Sequence, residues 1–276
     1  MFPRFNTQAR VALSAAVLAL LAVGCGKTAS TVAPDAPTPS PMPAPSALTQ
    51  TAADDIAEQL GITLARDFGA GSGAIAQSAS PSLGAGGLGA TTAEADTSGG
   101  AVSFQLIVRF FDADGKEQET YDPVTTVRMV LDRTVRGFHI APQVAVAMSS
   151  HAVLDIAGID AAADRTTTNG AADDTLAAHF VSKIHNAERR FWLVANGQLL
   201  DVVQVKPQDQ NPYPLSGMAT HEVVAVQQDV NDEGTVEAVY HARTKVTFNG
   251  TAYPEIEFEE GWRYVVDLTT GEVQRL

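Results

Sequence analysis

The chain reads as mainly β: an antiparallel meander forming a curved sheet, half-barrel or sandwich, with one short N-terminal helix and long disordered linkers. Three observations predict this. Apolar and polar residues alternate through long runs beyond Ala101, the pattern of strands with one buried face. Turn chemistry rich in Gly, Asn and Asp separates those runs. Ahead of them, the chain is dominated by Ala, Gly, Pro, Ser and Thr, a composition too poor in large apolar side chains to offset its own ordering entropy.

Residues 1–24 form a secretory leader. Arg4 and Arg10 supply a positive start, and Val11 to Val23 an apolar stretch shorter than the roughly 20 residues of a spanning helix. The stretch closes on Leu21-Ala-Val-Gly-Cys25, the sole cysteine of the chain. In these residues the chain resembles a bacterial lipoprotein precursor, although Ala22 stands where such precursors usually carry Leu. The resemblance implies cleavage after Gly24, acylation of Cys25 and mooring to a membrane through the acyl chains, which exceeds the two signals that durable anchoring requires. Gly26 is not the Asp that retains lipoproteins in the inner membrane, so the resemblance implies the outer membrane if the source is Gram-negative. A chain with one cysteine forms no internal disulfide, even where its compartment permits one. Cys25 is not read as a nucleophile, for no His or acid lies near it in the sequence.

Residues 25–50 form a tether. Pro34, Pro37, Pro39, Pro41, Pro43 and Pro45 alternate with small residues, favouring an extended polyproline-like spacer. A helix is expected over 51–66, with Thr51 as N-cap, Asp54 at the reciprocal capping position and Ile56 and Leu60 on one apolar face. Residues 67–100 read as a second linker, Gly-, Ala- and Ser-rich.

The β domain spans 101–276. Val102, Phe104, Leu106, Val108 and Phe110 share one side of an extended run that Asp112-Ala-Asp-Gly115 ends. Val127, Met129 and Leu131 alternate next, then Val144, Val146 and Met148 leading to Ala152, Leu154 and Ile156, then Leu176, Ala178, Phe180 and Ile184. Asn196-Gly197, between two apolar runs, is the strongest local hairpin signal, since both residue types tolerate positive φ. Val236, Ala238, Tyr240, Ala242, Val246 and Phe248 define another strand, and Asn249-Gly250, Glu260-Gly261 and Thr269-Thr-Gly-Glu272 predict turns after it. The stretch 211–276, through Asn211-Pro-Tyr-Pro-Leu-Ser-Gly217 and Val246-Thr-Phe-Asn-Gly-Thr251, resembles a group of uncharacterised all-β bacterial lipoproteins, which implies no activity.

No cofactor, catalytic or metal site is expected. Six histidines, His139, His151, His179, His185, His221 and His241, read as solvent-facing strand residues. His179 and His185 would stand about 20 Å apart in a strand at ~3.4 Å per residue. If Asn231-Asp-Glu-Gly234 closes a hairpin, His221 faces Thr244 and His241 faces Val224, out of register for one ion. His221-Glu-Val-Val-Ala225 matches half of a zinc-protease helix motif but lacks its second His. Asp112, Asp114, Glu117 and Glu119 lack EF-hand spacing, because Tyr121 stands where the closing glutamate belongs. Glu255, Glu257 and Glu259 line one strand face, read as solvated or as a charged edge beside Pro254. Serine-hydrolase and phosphate-loop fingerprints are missing.

Removing the leader takes the formal charge from −14 to −16, because Arg4 and Arg10 leave with no acid. Such a field argues against nucleic-acid partners and against adhesion to anionic lipid. The sequence thus points to a lipid-anchored, non-enzymatic envelope protein that binds an envelope partner or builds structure. The alternative is a carrier of an apolar ligand such as a lipid, with Phe104, Phe110, Phe180, Tyr240, Phe248 and Tyr264 lining a cavity.

Overall fold

The computed structural model describes residues 45–68, 91–97, 100–141, 144–182, 184–185, 187–206, 211–231 and 234–276. Among these residues one helix, α1 (Gln50–Phe68), precedes twelve strands: β1 (Thr91–Thr97), β2 (Gly100–Phe111), β3 (Glu117–Gln118), β4 (Arg128–Ala141), β5 (Val144–Ala157), β6 (Arg165–Ser182), β7 (Ala187–Val205), β8 (Ser216–Asn231), β9 (Gly234–Thr247), β10 (Glu255–Phe258), β11 (Arg263–Val266) and β12 (Val273–Arg275). All belong to one antiparallel sheet in chain order, with only β3 off the path, pairing Phe110 and Phe111 of β2 on the edge opposite β4, beyond the end of β1. The two end strands do not pair with each other, so the sheet stays open. Among the described residues there is no second sheet, which removes the sandwich from the three expected architectures.

The sheet curls around α1. Ala52 to Gly61 are buried at every position, although a helix docked on a flat sheet would leave one side wet. Ala53, Ile56, Ala57, Leu60, Leu64 and Phe68 enter one core with Leu176, Phe180, Phe191, Val223, Val246, Ile256 and Tyr264. Phe68 meets Phe248 with ring centroids 4.8 Å apart. A second cluster, Leu106, Met129, Leu131, Leu154 and Ile156, fills the β2–β4–β5 end of the sheet. Phe110 and Tyr121 close over it, 5.7 Å between ring centroids, with the Tyr121 hydroxyl donating to the Ile159 carbonyl at 3.0 Å.

Several expectations change here. The helix caps on Thr49, whose Oγ1 accepts from the Ala52 amide at 3.2 Å, not on Thr51. Asp54 is consequently a mid-turn residue turned inward, and the helix continues past 66 to Phe68. It is not amphipathic in its setting, because Asp54, Asp55, Glu58 and Gln59 are as enclosed as the apolar face. Residues 91–97, placed in a linker by composition, pair with β2 from Thr91↔Leu106 to Thr97↔Gly100, and order therefore begins before Ala101. The backbone ladder does this without apolar alternation.

Asn196-Gly197 makes no hairpin. β7 runs straight through it, pairing Asn196 with Asp173 and Glu222, and Gly197 with Ala172 and His221. The glycine serves a different purpose: a Cβ at position 197 would lie 3.1 Å from the His221 ring. The three expected turns beyond β9 do form, with Gly250, Gly261 and Gly271 at φ 79°, 93° and 76°. The β8–β9 register also matches expectation, His221 opposite Thr244 and His241 opposite Val224.

Candidate functional site

Chemistry concentrates where the helix meets the sheet. At its N-terminal half, Asp54 accepts the Tyr264 hydroxyl at 2.8 Å and a two-point contact from Arg275, with Nε to Oδ1 at 3.1 Å. His185 places Nε2 2.9 Å from Asp54 Oδ2 without hydrogen-bond alignment. Asp55 receives Arg189 Nε at 3.1 Å on one oxygen, and its other oxygen has no partner among the described residues. Glu58 accepts the Ile184 amide at 2.9 Å, pinning the β6–β7 turn to the helix.

A second knot sits at the helix C-terminus. Arg66 reaches Asp67 at 2.8 and 3.0 Å, Asp174 of β6 at 3.3 Å and Ser150 of β5 at 3.4 Å. Arg133 of β4 adds a bond to Asp67 at 3.0 Å. Contacts from β4 through β7 and from β11 and β12 thus converge on one helix, so they also fix the curl of the sheet.

The electrostatics follow from enclosure. Burial raises the Asp55 carboxyl to about 6, and Arg189 offsets only part of it. Burial also pushes Asp67 up, but the guanidinium groups of Arg66 and Arg133 prevail and hold it below the usual range. Asp174 is raised by burial against the pull of Arg66. His221 is pushed down to about 4 by burial, with Asp67 opposing weakly. Its Nδ1 lies 3.2 Å from Thr244 Oγ1.

The outer face carries a different arrangement. Glu257 pairs with Lys245 at 2.9 Å, Arg243 lies between Glu222 and Glu259 at 3.4 and 3.7 Å, and Arg263 grips Glu255. β10 pairs with both β9 and β11, so this acidic row is neither an edge nor simply solvated. It is one half of a cross-strand charge ladder. Such exposed pairs contribute little stability. Arg128 makes a comparable contact, forking onto Asp155 at 2.7 Å twice with Phe111 beneath it.

Cys25 and the residues 1–24 of the expected leader lie outside the described residues, as does the tether up to Ala44. The histidines scatter: His151 reaches Asp132 at 3.0 Å, His179 meets Glu188, and His241 is exposed. His221 and His185 are the corrections: His221 is 8% exposed, because β8 turns it toward Gly197 and the interior, and His185 lies in the β6–β7 turn against Asp54 and not on a strand. Among the described residues, no three His, Cys, Asp or Glu side chains gather as a metal cluster. Asp112 Oδ1 accepts the Asp114 and Lys116 amides at 3.1 and 2.8 Å, an Asx turn. Among the described residues, no helix is long and apolar enough to cross a membrane. Sequence reasoning did not single out Asp55, Arg66, Asp67, Arg133, Arg189 or Arg275; in one dimension each looks like a solvated charge.

No protein-family model, curated protein or solved structure matches the chain.

Proposed function

We propose that this is a lipid-anchored envelope protein, held to the membrane through Cys25, whose folded unit is a non-enzymatic binding or structural module. One observation supports the module over the carrier: α1 fills the inner face of the sheet, buried from Ala52 to Gly61. The aromatic side chains that would line a ligand cavity divide between other tasks. Phe180, Phe248 and Tyr264 pack in the core around α1, and Phe110 belongs to the second cluster. The charged groups near the helix hold it instead of facing a substrate. What remains for recognition is the outer face and the sheet edges.

Anchoring is tested by fractionating cells that express the full chain or Cys25→Ala. The variant is expected to leave the membrane fraction, and equal retention of both would refute the anchor. The module is tested separately by native mass spectrometry of the processed chain. Cys25→Ala material recovered outside the membrane fraction should carry its bare polypeptide mass. A stoichiometric lipid adduct would overturn the module in favour of the carrier, with α1 withdrawn from the sheet.

A further inference from the structure

The face of the sheet turned away from α1 carries an apolar belt. Strand pairing aligns Phe138, Ala147, Ala177, Trp192 and Val226 in one row across β4 to β8. Thr175, Val194 and Val224 form the next row across β6 to β8. Their chain neighbours Leu176, Leu193 and Ala225 point into the core around α1, so alternation sends these side chains outward. Among the described residues, neither core cluster includes them. All keep part of their surface in water, and Phe138 is half exposed. A contiguous apolar patch with a tryptophan at its middle has the composition of an interface.

Charge borders the belt differently on its two sides. Beyond one side stand His179, Arg190, Gln228 and Glu237, in register across β6 to β9. Beyond the other stand Asp173, Asn196, Glu222 and Arg243. A twofold axis along the belt lays each row of one copy on the opposite row of a second, strand over the same strand. It sets His179 over Asp173, Arg190 over Asn196, Gln228 over Glu222 and Glu237 over Arg243, so no like charges meet. Trp192 then meets Val194 of the second copy.

The sheet curls around α1, so this face is convex and contact is confined to the strands beside Trp192. Four strands at ~4.8 Å and four rows at ~6.8 Å give a footprint of about 500 Å² per copy. The total of about 1,000 Å² lies below a standard stable interface and fits a weak, concentration-dependent dimer.

We propose that the chain pairs with a second copy of itself through this belt, outer face on outer face, about a twofold axis running along the belt. The proposal names a partner for the binding module and rests on that reading. It does not depend on lipid at Cys25, although mooring two copies to one membrane raises their effective concentration and favours a weak contact.

Sedimentation equilibrium of the Cys25→Ala chain, recovered outside the membrane fraction, tests it. The mass should rise from one copy toward two as concentration approaches about 1 mM. Trp192→Asp, with unchanged far-UV circular dichroism, should weaken association at least about tenfold. Thr175→Lys, in the adjacent row, gives the same test without touching the tryptophan. Ala171→Asp, on the same face but beyond the Asp173 row, should associate like the parent. Glu237→Arg should weaken the dimer, and adding Arg243→Glu should restore it. These two positions lie about 20 Å apart along β9, so restoration can come only from the second copy. A chain that stays monomeric throughout overturns the proposal, including one that binds phosphatidylcholine vesicles through Trp192. So would folded Trp192→Asp and Thr175→Lys chains that dimerise like the parent, or a double charge swap no better than Glu237→Arg alone. A lipid-free monomer overturns the dimer alone, whereas a stoichiometric lipid adduct overturns the module reading beneath it.

Discussion

Tyr264 donates its hydroxyl to Asp54 at 2.8 Å across 210 positions of sequence, joining the start of the helix to a strand near the end of the chain. Both groups are fully buried, and Asp54 also accepts from Arg275. Removing the hydroxyl with Tyr264→Phe leaves Asp54 to Arg275 alone, and hydrogen bonds to charged groups contribute about 1.5–3 kcal/mol. A loss of that size in the urea unfolding free energy is expected. Asp54→Ala should cost more, since it strands the buried Tyr264 hydroxyl and also removes the contact with the exposed Arg275 guanidinium. A Tyr264→Phe variant as stable as wild type would mean that the contact does not hold the helix.

The Asp67 knot makes a second prediction with a built-in contrast. Breaking a buried ion pair by removing one partner costs about 3–5 kcal/mol, whereas replacing the whole group with apolar side chains is often neutral. Asp67→Ala leaves Arg133, which is nearly enclosed, without its carboxylate, and should destabilise strongly. Asp67→Leu combined with Arg133→Met should recover much of the loss. Chemical denaturation of the two variants decides it: equal losses in both would rule out charge stranding as the cause.

Much of the sheet is legible in one dimension. Ala242, Val246 and Phe248 alternate as read, and the His221–Thr244 register follows from counting outward from one hairpin. Local signals fail where a distant contact decides. Gly197 looks like a turn residue because its reason for being small, the His221 ring, lies on another strand. Asp54, Asp55 and Glu58 look like a wet helix face because their partners sit 126 to 221 positions away. A curled sheet can surround a helix, so helical charge no longer reports which side is solvent.

Acid response should show two opposing titrations. Asp55 sits at about 6 in the fold against 3.8 when free, so the folded chain binds the extra proton in between. Its contribution is present at low pH and lost as pH rises through 6. His221 sits at about 4 against 6.5, so the unfolded chain binds that proton first, and stability falls as pH drops from 6.5 to 4. Between pH 4 and 6 the two slopes oppose each other, each up to about 1.4 kcal/mol per pH unit. Relative to wild type, Asp55→Asn should lose stability more steeply on acidification over that range, and His221→Gln less steeply. Melting temperatures recorded from pH 4 to 7 would refute this if both variants ran parallel to wild type.

Gly61 separates helix propensity from packing. Alanine in a helix interior is favoured over glycine by about 0.8–1 kcal/mol, so Gly61→Ala would stabilise an isolated helix. In the fold, a Cβ at position 61 would stand 2.5 Å from Val273 Cγ2 and 2.6 Å from the Gly271 carbonyl oxygen. The Val273 methyl can rotate away, but the carbonyl belongs to a turn whose glycine already holds φ 76°. Either the β11–β12 turn or the helix must move, and overpacking of this kind costs about 1–3 kcal/mol. The expected outcome is net destabilisation, with faster hydrogen exchange at the Gln274 and Leu276 amides, which face β11, as β12 loosens. Gly197→Ala gives the comparison: its added Cβ is crowded by the His221 ring, 3.1 Å away, which a small ring shift relieves, and the Ala172 carbonyl oxygen at 3.7 Å is an ordinary contact. A Gly61→Ala variant more stable than wild type would show that the helix does not press against the β11–β12 turn.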